Sequence, residues 1–203
     1  LSEFQKNKKW TWTILRPQLV CGVAAGSPLN IIAAIGAFAA ISREVGIPLR
    51  FPGGAERIGE ATDARLIARA VEWAGNSEIA SNQIYNITNG DVYIWHYVWP
   101  RVAELFDMEY GSPQPMSLAK LMPENAEVWS RIIEKHSLKN CSLAELIPSW
   151  RFADYIFGYG QRPNPHHMSN IKIRKHGFSD CIDTEQMVLE LLQEMQSLRI
   201  IPR

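Results

Sequence analysis

Cysteine is scarce in this chain, and so is any excess of charge. The three cysteines, Cys21, Cys141 and Cys181, stand far apart in 203 residues. An odd, scattered set excludes a disulfide framework and points to a reducing compartment, the cytoplasm. No two form Cys-x-x-Cys, which argues against a zinc cage, and no metal site is expected. Lysine plus arginine and aspartate plus glutamate both number 21, so the formal net charge is zero. No bulk field then favours nucleic acid or an anionic membrane. Long apolar runs are missing too. The richest, "PLNIIAAIGAFAAI", is shorter than the roughly 20 residues a bilayer span needs, and it leads into Ser42-Arg43-Glu44. It reads as a buried helix. No Gly-x-Gly-x-x-Gly turn follows a strand, so the sequence contains no dinucleotide cradle. None of the six tyrosines has a lysine four residues later, so the Tyr-x-x-x-Lys pair of ordinary short-chain dehydrogenases is absent. The chain opens at Leu1 rather than methionine, in what reads as the end of a helix, and a preceding segment is expected.

Hydrophobic residues make up 46% of the sequence, enough for a globular chain to bury a core. "WTWTILRP" alternates and then turns apolar, which predicts a strand closed by Pro17. "QLVCGVAAGS" is a small-residue loop where backbone can approach a ligand. Ser27 and Pro28 make an N-cap and first-turn pair for a helix that runs to Gly46. Thr62 or Asp63 caps a helix over "ARLIARAVEWAGN", and "NQIYNIT" is a second strand. Asn89-Gly90-Asp91 turns the chain, and Asp91 is expected to cap a tryptophan-rich helix that contains Pro100. Further helices are expected over "PENAEVWSRIIEKHS", "SNIKIRKHGF" and "DTEQMVLELLQEMQSL", the last with Asp183 and Gln186 at capping-box spacing. Strands feeding helices give an α/β pattern, but two strands are too few for a parallel sheet alone. The sheet is expected to continue in other polypeptide, and its open edge to pair with a companion chain or a second copy.

Four stretches in order, "TILRPQLVCGVAAGSPLN", "TDARLIARAVEWA", "YNITNGDVYIWHYVWPRVAELF" and "HGFSD…LRIIPR", carry a resemblance. Together they resemble the carboxyl-terminal half of an atypical extended short-chain dehydrogenase/reductase of the progesterone 5β-reductase/iridoid synthase-like (PRISE-like) group. The fold this implies is α/β, helix-rich and Rossmann-like, with the amino-terminal dinucleotide-binding half missing. Residues 1–203 would form one region, the end of the Rossmann sheet plus a substrate-binding subdomain. The family's catalytic tyrosine and lysine would lie upstream of Leu1 and map onto no residue of this sequence, so no catalytic residue is assigned. By the same resemblance Pro17, Gln18, Leu19 and Val20 would pass the nicotinamide. Ala24 and Asn30 would lie over the substrate, with His167, Met168 and Asn170 closing the pocket from the other side. NADP(H) or NAD(H) is expected only with the missing half present.

Among the other candidates, Trp150, Phe152 and Tyr155 are the aromatics expected to reach a hydrophobic ligand. His166-His167 has no Asp, Glu or Cys set for a metal and reads as pocket wall or surface. His96 reads as packed, and His136 and His176 as partners of helix ends. Glu56 and Glu60 read as a solvated turn. Three functions fit these residues. The first is the substrate-binding half of an NADP(H)-dependent reductase of enones or related carbonyls. The second is a cofactor-independent cyclase, isomerase or pericyclase on a remnant scaffold. The third is a non-catalytic binding or oligomerisation module. The expected ligand is a hydrophobic small molecule, with neither nucleic acid nor membrane as partner.

Overall fold

The computed structural model describes residues 1–162 and 167–203. The chain divides into two compact units, Leu1–Val20, Glu60–Val92 and His166–Thr184 in the first, and Cys21–Gly59, Tyr93–Pro165 and Glu185–Arg203 in the second. Among the described residues no helix is long and apolar enough to cross a membrane.

The first unit is built on two parallel strands, Thr13–Pro17 and Gln83–Ile87, in a register that sets Thr13 beside Gln83 and Pro17 beside Ile87. Among the described residues the first of these strands pairs with no other. Asp63 caps the helix Ala64–Asn76 by accepting from the Arg65 N–H at 2.7 Å, as expected for an aspartate at that position. Leu66, Ala70, Trp73 and Ala74 fall at helical spacing on one face. With Leu15, Tyr85, Ile87, Ile173 and Phe178 they form a continuous apolar cluster. Strand, helix and parallel strand thus make a Rossmann-like β-α-β unit. Gly90 follows the second strand with φ +102, a conformation that favours glycine, and turns the chain sharply there.

The core of the second unit is the helix Ile31–Glu44, in which every position from Ile31 to Ser42 is buried. A helix apolar on all sides demands neighbours all round, and the helices Ala126–His136 and Trp150–Phe157 pack against it. Beside it Phe51, Trp95, Trp99 and Phe157 meet edge to face, at centroid separations of 5.1 to 6.1 Å. His96 packs its ring 4.6 Å from Phe51, the packed role its sequence context implies. Gly53 admits the Phe157 carbonyl where any Cβ would collide with it. Two short strand pairs, Leu49–Arg50 with Tyr110–Gly111 and Ile58–Gly59 with Tyr93–Ile94, complete the unit.

Two expected helix starts are corrected. The buried helix begins at Asn30, not at Ser27-Pro28, because the Asn30 Oδ1 accepts from both the Ile32 and Ala33 N–H groups. Ser27 instead accepts from Leu29 and Asn30 in a turn just before. The tryptophan-rich helix spans Trp95–Leu105, with Ile94 at its N-cap and Pro100 inside. Asp91 does not cap it. Asp91 accepts from Thr184, the first residue of the helix Thr184–Ser197.

Candidate functional site

In open α/β sheets ligands collect beyond the carboxyl ends of the strands. Here those ends are Pro17 and Ile87, and Thr62 ties the two together. The Thr62 N–H donates to the Leu19 carbonyl at 2.9 Å. Its hydroxyl lies 2.8 Å from the Gln18 carbonyl and 3.0 Å from that of Ile87, one proton between two acceptors. Thr62 is completely buried, so these bonds fix the strand ends rather than face solvent.

Beyond the second strand a polar relay continues. The Asp63 N–H donates to Asn89 Oδ1 at 2.7 Å, Asn89 Nδ2 donates to Thr184 Oγ1 at 3.0 Å, and the Thr184 hydroxyl donates to Asp91 at 2.6 Å. The Asn89 backbone is held as well, its N–H by Ala61 and its carbonyl by Ile182. This corner is therefore a rigid wall.

Against that wall lies a cavity of about 370 Å³, lined by Thr88, Gly90, Asp91 and Val92 on one side and by residues 167–171 with Arg174 on the other. Asn170 Nδ2 donates to the Thr88 hydroxyl oxygen at 2.6 Å, and Asn170 Oδ1 is buried without a partner. Glu60, expected in a solvated turn, is buried, with 2% of its side chain exposed. One carboxylate oxygen accepts from the Met168 N–H at 2.8 Å. The other lies 2.9 Å from His167 Nδ1, at an angle that leaves it without an aligned donor. Glu60 is the residue that sequence reasoning missed. Its neighbours Ala61, Thr62 and Asp63 are short and suit a buried strand-to-helix passage, and that was the available signal.

His167, Met168 and Asn170, expected to close a pocket, line this one cavity. Of the residues expected near a nicotinamide, Pro17 and Val20 are exposed, while Gln18 and Leu19 are half-buried with their carbonyls engaged by Thr62. His166 lies outside the described residues. The remaining candidates belong to the second unit. Ala24 is exposed. Asn30 is engaged at both ends, with Nδ2 donating to the Ala24 and Gly22 carbonyls while Oδ1 caps the helix. Trp150 is 6% exposed and Tyr155 59%, with Phe152 half-buried between them in sequence.

His176, expected at a helix end, follows the helix Ile171–Lys175, and its Nδ1 lies 2.7 Å from the Tyr85 hydroxyl. Burial raises the Tyr85 phenol above its ordinary value. This pair braces the strand against the helix. Among the described residues no group of three His, Cys, Asp or Glu side chains could hold a metal ion.

The fold defines the class. Over 96% of this chain the structure resembles RMD from Pseudomonas aeruginosa complexed with NADPH, with TM-score 0.60 and 12% identity, covering 51% of that protein. A UDP-glucose 4-epimerase of Thermus thermophilus in complex with NAD gives TM-score 0.54 at 15% identity, covering 96% of this chain and 50% of the epimerase. At such identities the likeness is one of fold, a Rossmann-like α/β architecture. The PRISE-like Rossmann-fold domain matches residues 1–202, and the chain belongs to that family. An (S)-8-oxocitronellyl enol synthase of Camptotheca acuminata is 31% identical over 205 residues, 98% of this chain and 51% of the synthase. A 3-oxo-Delta(4,5)-steroid 5-beta-reductase of Arabidopsis thaliana is 30% identical over 206 residues, 98% of this chain and 52% of the reductase. The chain spans about half the length of these relatives.

Proposed function

We propose that this chain supplies the substrate-binding part and the strand ends beside the nicotinamide of an NADP(H)-dependent reductase acting on enones or related carbonyls. One observation carries the reading: the second of two parallel strands leads into Thr88 and Gly90, which wall a cavity whose far side is residues 167–171, and Thr62 and Asn89 hold that corner in place from behind. The names of the relatives, an enol synthase and a 3-oxo-Delta(4,5)-steroid 5-beta-reductase, support it.

The residues present fit part of a nicotinamide cofactor. Exposed Pro17 and Val20 offer an edge for the nicotinamide. No glycine-rich turn in this sequence seats a pyrophosphate, so the chain would flank NADP(H) or NAD(H), with the cradle and the catalytic tyrosine and lysine supplied by other polypeptide, the half of the fold proposed to lie outside this sequence. When bound, the cofactor would supply hydride. The chain's own residues would do the rest. In the first unit, Met168 and the Thr88–Asn170 pair would bind and orient the substrate.

The test joins two measurements. A 3-oxo-Δ4,5-steroid should quench the tryptophan fluorescence of the chain alone. NADPH should be consumed with that steroid only when a glycine-rich loop and the tyrosine are joined to the chain. Product formed by the chain without nucleotide would replace this reading with a cofactor-independent isomerase or cyclase. No steroid uptake together with a dimer in solution would replace it with an interaction module pairing at the open strand Thr13–Pro17.

A further inference from the structure

His167 has the setting of an oriented proton-transfer group. Its Nδ1 lies 2.9 Å from the carboxylate of Glu60, whose side chain is 2% exposed while that of His167 is 65% exposed. The carboxylate cannot swing away, because its other oxygen holds the Met168 N–H at 2.8 Å. No aligned hydrogen bond joins the two, but a buried carboxylate oxygen 2.9 Å from Nδ1 repels a lone pair on that nitrogen, which favours the tautomer with its hydrogen on Nδ1 and leaves the Nε2 lone pair for a proton. His167 lines the same cavity as Thr88. The Thr88 hydroxyl oxygen accepts from Asn170, so its hydrogen remains to be donated. Thr88 is 4% exposed, and a donor in so sheltered a place is worth more to a developing oxyanion than one in water.

We propose that His167, oriented by Glu60, is a general base and acid for enolisation of an α,β-unsaturated carbonyl in this cavity, with Thr88 receiving the carbonyl oxygen. The Nε2 lone pair takes a proton from the γ-carbon. The C–H electron pair moves through the double bond to the oxygen, which becomes an enolate held by the Thr88 hydroxyl. The resulting imidazolium returns a proton to the γ-carbon, so the enone is regenerated with exchanged hydrogen and no new product accumulates. No electron is gained or lost and no co-reactant is needed. The inference rests on the enone reading above, but its chemistry needs no nucleotide, so the two can fail separately.

The experiment follows deuterium entering the γ-position of a 3-oxo-Δ4,5-steroid in heavy water by NMR, with the chain alone, while fluorescence quenching reports uptake. Exchange above buffer is expected. His167→Gln should lower it about a hundredfold with uptake unchanged, as loss of a general base does. Glu60→Gln, which still offers an oxygen to the Met168 N–H, should lower exchange about tenfold at equal uptake, the mark of a positioning residue. Added imidazole should restore exchange to His167→Ala, which a purely structural histidine would not allow. Steroid bound without exchange in the unaltered chain, or equal exchange in His167→Gln, overturns this inference and leaves the enone reading standing. Absence of steroid uptake overturns the enone reading itself, and this inference with it.

Discussion

The Asp91 carboxylate takes two hydrogens from one residue, the backbone N–H of Thr184 at 2.8 Å and its hydroxyl at 2.6 Å. Ninety-three residues separate them in sequence, and the aspartate satisfies the first turn of the helix Thr184–Ser197 from outside it. Asp91→Ala should therefore cost about 1–2 kcal/mol, the range for a lost N-cap. Urea unfolding of Asp91→Ala, Thr184→Val and the double variant measures it. A clear coupling energy is expected from residues in direct contact. Strict additivity of the two single effects would show that the pair contributes nothing jointly.

Asn89 is engaged at both ends of its side-chain amide. It is completely buried, and it accepts from the Asp63 N–H while donating to Thr184. Asn89→Ala would strand a buried backbone donor and leave a void. The expected loss is about 2–4 kcal/mol, since each buried group left unsatisfied costs about 1–3 kcal/mol. Asn89→Asp keeps an acceptor for Asp63 but cannot donate to Thr184, and should lose less than the alanine. Thermal unfolding that ranks the two variants in the opposite order would contradict the relay.

What could be read from the sequence and what could not divide along a physical line. The strands over "TILRP" and "QIYNI" and the helix capped by Asp63 are local: alternation, 3.6-residue periodicity and a capping side chain next to the helix it serves. Asn89-Gly90-Asp91 was legible as a tight corner for the same reason, because glycine at φ +102 is a local demand. The partner of Asp91 was not, because Thr184 is distant in the chain and a nearer helix start was available. Glu60 failed in the same way. In sequence it is one more carboxylate in a glycine-rich turn, and the Met168 N–H that its carboxylate accepts comes from 108 residues further along. Asn30 shows the third kind of failure. Ser27-Pro28 is a stronger local N-cap signal, yet Asn30 wins because its amide can cap the helix and tie down the preceding loop together.

That double engagement makes Asn30 separable by substitution. Asn30→Asp retains the acceptor for Ile32 and Ala33 and loses the donor to the Ala24 carbonyl, so its effect falls on the loop. Asn30→Ala loses both and should cost about 1–2 kcal/mol through the cap alone. Hydrogen exchange reads the difference: Ile32 and Ala33 amides should exchange faster in the alanine variant and stay protected in the aspartate variant. Equal protection in both would mean that the cap is not what starts the helix.

His136 sets a pH limit on the second unit. Burial pushes its imidazole below the ordinary value of 6.5, the Arg43 and Lys135 cations push the same way, and only Glu44 opposes them. The unfolded chain then takes up a proton near pH 6.5 that the folded chain resists, so the unfolded state binds more protons as pH falls through that value. The stability contributed by neutral His136 is present above the ordinary histidine value and is lost progressively down to the depressed folded value. Glu44 adds a second loss lower down. The hydrogen bond from Lys135 holds its carboxyl below the ordinary 4.5, so its contribution persists until the pH falls below that value and disappears through the depressed one. Urea midpoints taken from about pH 7.5 to about pH 5.5, the interval where an unperturbed histidine changes charge, should fall more steeply for the natural chain than for His136→Asn. The difference between the two curves isolates this residue from His96, His167 and His176, which both proteins keep. Parallel curves would show that His136 gains its proton as readily folded as unfolded, and that the cations around it are screened.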